Sequence, residues 1–160
     1  MEAPITIRRL DPDDAEAVVA VQAQCPELAQ WTRQDYKHLS QHEMTGWVAS
    51  KQRSQSKAEA SAAIAIEGFL VARQASGEIE ILNLAVLPEA RRQGIGKRLL
   101  ETSLRWAKEN GASQAFLEVR ASNDAAIKFY EGQGFHQAGR RKNYYQSPTE
   151  DALQLSTRIT

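Results

Sequence analysis

Apolar residues along the chain recur with two periods, and the switches between them lay out a fold. Ile5, Ile7 and Leu10 lie close to period two and predict a first strand. Asp11-Pro12-Asp13-Asp14 reads as a helix start: a capping aspartate, proline at the first helical position and acids in the first turn. Ala15, Val18, Val19 and Val21 supply that helix's buried stripe, and Pro26 closes it. Gln30-Trp31-Thr32 is a loop, and Thr32 with Asp35 resembles a capping box for a second helix through about His42. Strands follow from Trp47 and over Ile64 to Arg73, then Ile79 to Leu87. Helical spacing takes over at Leu99, Leu100, Leu104 and Ala107 and stops near Asn110-Gly111. Ala115 to Arg120 is a strand, a short helix runs from Asn123 or Ser122 through Tyr130, and Phe135 to Tyr145 and Ala152 to Ile159 form a last strand pair. The pattern predicts a mixed α/β domain, antiparallel strands first and then a strand–helix–strand crossover.

Lys51 to Ala63 breaks the pattern, with no large apolar residue. It reads as a mobile surface loop between paired strands, inside one domain over residues 1–160. Apolar residues are 42% and charged residues 25%, ordinary for a globular chain, so 160 residues suffice for a real core. A formal net charge of zero leaves no global field favouring nucleic acid or an anionic membrane. Met1-Glu2-Ala3-Pro4 lacks signal-peptide regions and no apolar run is long enough to span a bilayer, so a cytoplasmic protein is expected.

Against that neutral background, Arg91-Arg92-Gln93-Gly94-Ile95-Gly96-Lys97 is a local basic site. It lies between a strand and a helix, where unpaired N–H groups and the positive end of the helix dipole receive phosphate. Its other reading is a helix start with a solvated basic face. It is neither a P-loop, since Lys97-Arg98 follows Gly96, nor G-x-G-x-x-G, since position 99 is Leu.

Glu118 is an acid inside the strand Phe116-Leu117-Glu118-Val119-Arg120, sharing a face with Phe116 and Arg120. It is either half-buried and paired with Arg120 or another base, or a general base in a partly apolar site. Tyr130 is either a core residue or a proton donor to a departing thiolate. Cys25, before Pro26 and without a sequence-adjacent base, is a poor nucleophile, and His38, His42 and His136 make no metal set.

Taken together these residues resemble the GNAT superfamily of N-acetyltransferases. Arg91-x-x-Gly94-x-Gly96 after a strand matches its acetyl-CoA signature. Leu117 to Asn123, Phe129-Tyr130-Glu131, Gly134-Phe135 and Arg141-Lys142-Asn143-Tyr144-Tyr145 look like the RimI type, whose members acetylate the N-terminal alanine of a small-subunit ribosomal protein. The resemblance implies a mostly antiparallel twisted sheet of about six to seven strands flanked by about four helices, splayed where acetyl-CoA enters. It assigns Glu118 as general base and Tyr130 as general acid. Leu84, Ala85 and Val86 would lie beside the pantetheine and acetyl carbonyl. Arg91, Arg92, Gln93, Gly94, Ile95, Gly96 and Lys97 would hold the pyrophosphate, with Asn123 a further coenzyme contact. Trp31, Tyr144 and Tyr145 would flank the peptide. RimI-like chains often carry Pro-Trp-Ser where Gln30-Trp31-Thr32 stands here. The implied enzyme is a monomer using acetyl-CoA as co-substrate, without metal, nucleic acid or membrane partner. Its alternatives are a GNAT enzyme acting on a small amine or lysine, and an acetyl-CoA-binding module without turnover.

Overall fold

The computed structural model describes residues 3–52 and 64–160. Among them the order is β1 (Ile5–Arg9), α1 (Ala15–Ala23), α2 (Arg33–Lys37), β2 (Met44–Gln52), β3 (Ile64–Ala75), β4 (Glu78–Val86), α3 (Ile95–Glu109), β5 (Gln114–Arg120), α4 (Asp124–Gly132), β6 (His136–Tyr145) and β7 (Glu150–Arg158). Hydrogen-bonded neighbours follow β1-β2-β3-β4-β5-β7-β6. The registered ladders are antiparallel except β4–β5, which is parallel and spanned by α3, as the crossover predicted. No helix among the described residues is long and apolar enough to cross a membrane.

Contacts divide the chain into two compact units. The first holds Met1–Arg73 with Asn83–Ser103. In it β1 pairs with β2 from Ile5↔Lys51 to Arg9↔Trp47. Asp11 and Asp14 close a capping box, but the first turn, Pro12–Asp14, is 3-10 and the α-helix begins only at Ala15. The predicted box at Thr32 and Asp35 is present, though α2 ends at Lys37 and Leu39–His42 is a separate 3-10 turn. Lys51 and Gln52, expected in the polar loop, belong to β2. The rest of that expected loop, 53–63, lies outside the described residues. Val18, Val48, Phe69, Leu70, Val71, Leu99 and Leu100 form the core of this unit, each at most 1% exposed. Each such side chain contributes about 1.5–3 kcal/mol by leaving water. A Cβ on Gly68 would stand 2.7 Å from the Ala85 carbonyl oxygen, so only glycine lets β3 pass β4 this closely.

The second unit holds Gln74–Leu82 with Leu104–Thr160. The β4–β5 ladder is registered from Glu78↔Gln114 to Ile81↔Leu117. β5 pairs with β7 along its whole length, Gln114↔Arg158 to Arg120↔Ala152, and β6 lies on the far side of β7. Alternation turns Ala115 and Leu117 inward, fully buried, and leaves Phe116, Glu118 and Arg120 on the other face. Ile79, Leu117, Tyr130, Phe135, Ala152 and Leu155 are the packed interior of this unit.

Candidate active site

The glycine turn sits in the first unit as a short 3-10 stretch, Pro88–Ala90, followed by two left-handed residues, Arg92 at φ 65 and Gly94 at φ 79. Backbone of alternating hand gathers successive N–H groups on one side, the geometry of an anion nest. α3 starts at once, its first bond running from the Arg98 N–H to the Gly94 carbonyl at 3.0 Å. A Cβ on Gly94 would meet no atom within 4 Å, so the turn faces open space. Arg92, Gln93, Gly94 and Lys97 are exposed, and Ile95 is buried as the anchor. This donor set fits a pyrophosphate. Arg91 is otherwise engaged: its Nε donates to the Val86 carbonyl at 3.1 Å, and its guanidinium lies 3.4 Å from Glu27 and 3.6 Å from the Cys25 sulfur. Arg91 thus braces the end of β4 below the turn. Lys97 shares its charge with Glu101 at 3.8 Å. Leu84 and Val86 are half-buried and Ala85 is buried, in alternation along β4.

Trp31 is held by its backbone. The buried Gln22 amide accepts from the Trp31 N–H at 3.0 Å and donates to the Trp31 carbonyl at 2.8 Å. Tyr36 donates its hydroxyl to the same Gln22 oxygen and accepts from Asn83 on β4 at 3.2 Å. Every group in this buried chain is satisfied in one direction, which fixes the amide's orientation. The Trp31 ring packs on Tyr36 at 5.6 Å.

In the second unit, the Glu118 side chain is 12% exposed and its Oε1 forms an ion pair with Arg141, 3.0 Å from Nε. Its Oε2 is buried with no hydrogen-bond partner among the described residues. Leaving such an acceptor unsatisfied costs on the order of 1–3 kcal/mol, and native folds tolerate that where the atom has a use. Of the partners expected for Glu118, Arg120 or another base, the structure takes the second. Arg120 turns to Glu150 at 3.5 Å, donates to the Gln146 and Pro148 carbonyls at 3.2 and 3.1 Å, and covers the Tyr145 ring at 4.5 Å. Glu150 also accepts the Ser122 N–H at 3.1 Å, tying the β6–β7 turn to the start of α4. Tyr144 and Tyr145 pack edge to face at 5.1 Å. The Glu118 charge first, and burial second, push the Tyr144 phenol above its ordinary value. Burial first and the Glu118 charge second push Tyr145 up to about 12.

Tyr130 is buried between Phe129 and Phe135, at 5.1 and 5.4 Å, and burial raises its phenol far above the usual range. Asn123 caps α4, its side chain accepting from the Ala126 N–H at 3.2 Å. Cys25 is fully buried, donates to the Val86 carbonyl at 3.7 Å, and has its thiol pushed up by burial. A thiol so held is no nucleophile. Arg141 was not singled out by sequence as Glu118's partner, nor Gln22, Tyr36 and Asn83 as supports of Trp31. Their partners lie 9 to 47 residues away, beyond any local pattern.

Comparison with known proteins adds the relations. Residues 11–135 match the Acetyltransferase (GNAT) family. The chain is 43% identical over 83 residues to the ribosomal protein bS18-alanine N-acetyltransferase of Escherichia coli (strain K12), covering 52% of this chain and 55% of that protein. It thus spans about half the length of the curated relatives it matches. The crystal structure of the ribosomal-protein-S18-alanine N-acetyltransferase from Escherichia coli is similar with TM-score 0.79 and 28% identity, over 98% of this chain and 95% of that one. Arabidopsis thaliana NAA60 in complex with acetyl-CoA shares the fold, with TM-score 0.81 and 18% identity over 98% and 99% of the two chains.

Proposed function

The chain belongs to the acetyltransferase (GNAT) family, and from that premise we propose that it transfers acetyl from acetyl-CoA to the N-terminal amine, an alanine's, of a small-subunit ribosomal protein. The observation that carries the reading is Glu118, a strand carboxylate with one oxygen in an ion pair and the other buried without a hydrogen-bond partner among the described residues. The curated relatives named above supply the substrate class.

Acetyl-CoA brings an activated thioester. Arg92 to Lys97 receive its pyrophosphate on backbone N–H groups, and the Leu84–Val86 backbone steadies the oxygen that gains charge. Glu118, directly or through water, takes a proton from the incoming ammonium. The amine nitrogen bonds to the acetyl carbon, the carbon–sulfur bond breaks as Tyr130 gives its proton to the thiolate, and the second proton that the nitrogen sheds in becoming an amide restores the Tyr130 hydroxyl through water. An α-amine has a pKa near 7.7–8.0 against about 10.4 for lysine, so deprotonation at neutral pH favours the N-terminus by roughly 3 kcal/mol. Trp31, Tyr144 and Tyr145 flank the peptide, and Asn123 both caps α4 and contacts the coenzyme. No acyl-enzyme is required, in keeping with the buried Cys25.

The test is mass spectrometry of unacetylated ribosomal proteins incubated with the enzyme and acetyl-CoA. One small-subunit protein should gain 42 Da, about one acetyl group, at its N-terminus. Acetylation confined to lysines or to small amines would replace this reading with its neighbours.

A further inference from the structure

We propose that Arg141 is a positioning residue for Glu118: its guanidinium pairs with Oε1 and so holds the carboxylate in one orientation, with Oε2 on the buried side. The inference rests on Glu118 being the base, as proposed above.

The β-sheet register explains how residues 23 apart in sequence meet. Arg120 on β5 and Arg141 on β6 stand opposite the same residue, Ala152, from its two sides. Glu118 and Gly139 likewise flank Gln154. Directly paired residues point to one face, so Arg141 and Glu118 share a face and are separated by β7, about 10 Å across two strand spacings. An arginine lying diagonally over a small residue spans that gap. Ala152 provides the small residue, and Gly139 adds no side chain beside the path. The contact is asymmetric: the Arg141 side chain is 59% exposed and the Glu118 side chain 12%. The guanidinium closes the outer side of the carboxylate and cannot follow it inward. Tyr144 steadies it, with the guanidinium carbon 5.5 Å from the ring centroid.

Arg120 is on the same face but is committed to Glu150 and to two carbonyls of the β6–β7 turn. It cannot substitute for Arg141.

The experiment is a double-mutant cycle on the full chain: wild type, Arg141→Gln, Glu118→Gln and both together, with Arg141→Lys as the conservative control. Acetyl transfer from acetyl-CoA to a synthetic peptide with a free N-terminal alanine is followed in single turnovers and at steady state. Arg141→Gln should lower kcat about 10–100-fold, the loss expected when the charged partner of a largely buried carboxylate is removed. KM for peptide and coenzyme should stay within about threefold, because binding is untouched. Arg141→Lys should restore part of the rate. In the Glu118→Gln background, Arg141→Gln should change nothing further. A kcat within about twofold of wild type, or the same fractional loss in both backgrounds, overturns the proposal, since Arg141 would then be idle or act on its own. If Arg141→Gln does not fold, Arg141→Met keeps the stem against Tyr144 and answers the same question. Full turnover in Glu118→Gln alone would remove the base itself, a failure distinct from an inactive Glu118→Gln beside an unimpaired Arg141→Gln.

Discussion

Replacing Tyr130 by Phe deletes one hydroxyl and leaves the ring. The ring's edge-to-face packing on Phe129 and Phe135, at 5.1 and 5.4 Å, survives, so stability should move by no more than about 1 kcal/mol. The rate should fall much further. A positioned acid contributes about 10²–10⁴-fold, which is about 2.7–5.5 kcal/mol of barrier. Burial raises the Tyr130 phenol well above its ordinary value, so it stays protonated across the assay range and adds no alkaline limb of its own. A phenol, at about 10, is a weaker acid than a thiol, at about 8.5, even before any shift, and burial widens that gap. Proton transfer is therefore steeply uphill before the carbon–sulfur bond breaks and least uphill once thiolate charge has developed, so the hydroxyl helps late in the step, first as a hydrogen-bond donor to the departing sulfur. The need for the acid should then depend on the leaving group. With acetyl-CoA, Tyr130→Phe should lose the full factor. With an acetyl aryl thioester, whose thiolate leaves unaided, the ratio of wild type to variant should shrink to less than about tenfold. Equal ratios for both donors, or an unchanged rate with acetyl-CoA, would make Tyr130 a packing residue.

Gly94→Ala puts a side chain on a residue at φ 79, in open space, so the penalty is backbone strain of about 1–2 kcal/mol without a clash. Calorimetry should show acetyl-CoA affinity down by at least about tenfold, since the new methyl faces the anion; unaltered affinity would take the phosphate off this turn. Arg8 holds Asp14 through two hydrogen bonds of 2.8 Å, and the Asp11 N–H adds a third at 2.8 Å. Burial raises the Asp14 carboxyl, but those bonds outweigh it and hold it below the usual range. The stability it contributes is therefore present above about pH 3.9, the unfolded value, and is lost as pH falls through the lower folded one. Melting curves should show wild type losing more stability than Asp14→Asn between neutral and acid pH; parallel curves would contradict the assignment.

Local chemistry was legible in the chain. The Thr32–Asp35 box and the Asn123 cap follow from side chains reaching backbone three residues on, and the sequence contains both partners. The parallel crossover and the glycine turn followed from the change of period at Pro88. Other features depend on which strands become neighbours. Arg120 looked like Glu118's partner because the two share a strand face, yet β7 brings Glu150 to Arg120 and the row across β7 delivers Arg141 to Glu118. Left-handed Arg92 could not be read either, since that conformation favours glycine and the turn as a whole imposes it. The buried relay from Asn83 through Tyr36 to Gln22 looked like ordinary polar residues on three separate elements.

The proposed reaction depends above all on the Glu118 carboxylate. Glu118→Gln keeps the shape and the buried position and removes the proton-accepting charge. Pre-steady-state acetyl transfer to an alanine peptide, run beside calorimetry of acetyl-CoA binding, separates chemistry from capture. The variant should transfer acetyl at least about 10²-fold more slowly with coenzyme affinity unchanged. Transfer at the wild-type rate would contradict the proposed reaction.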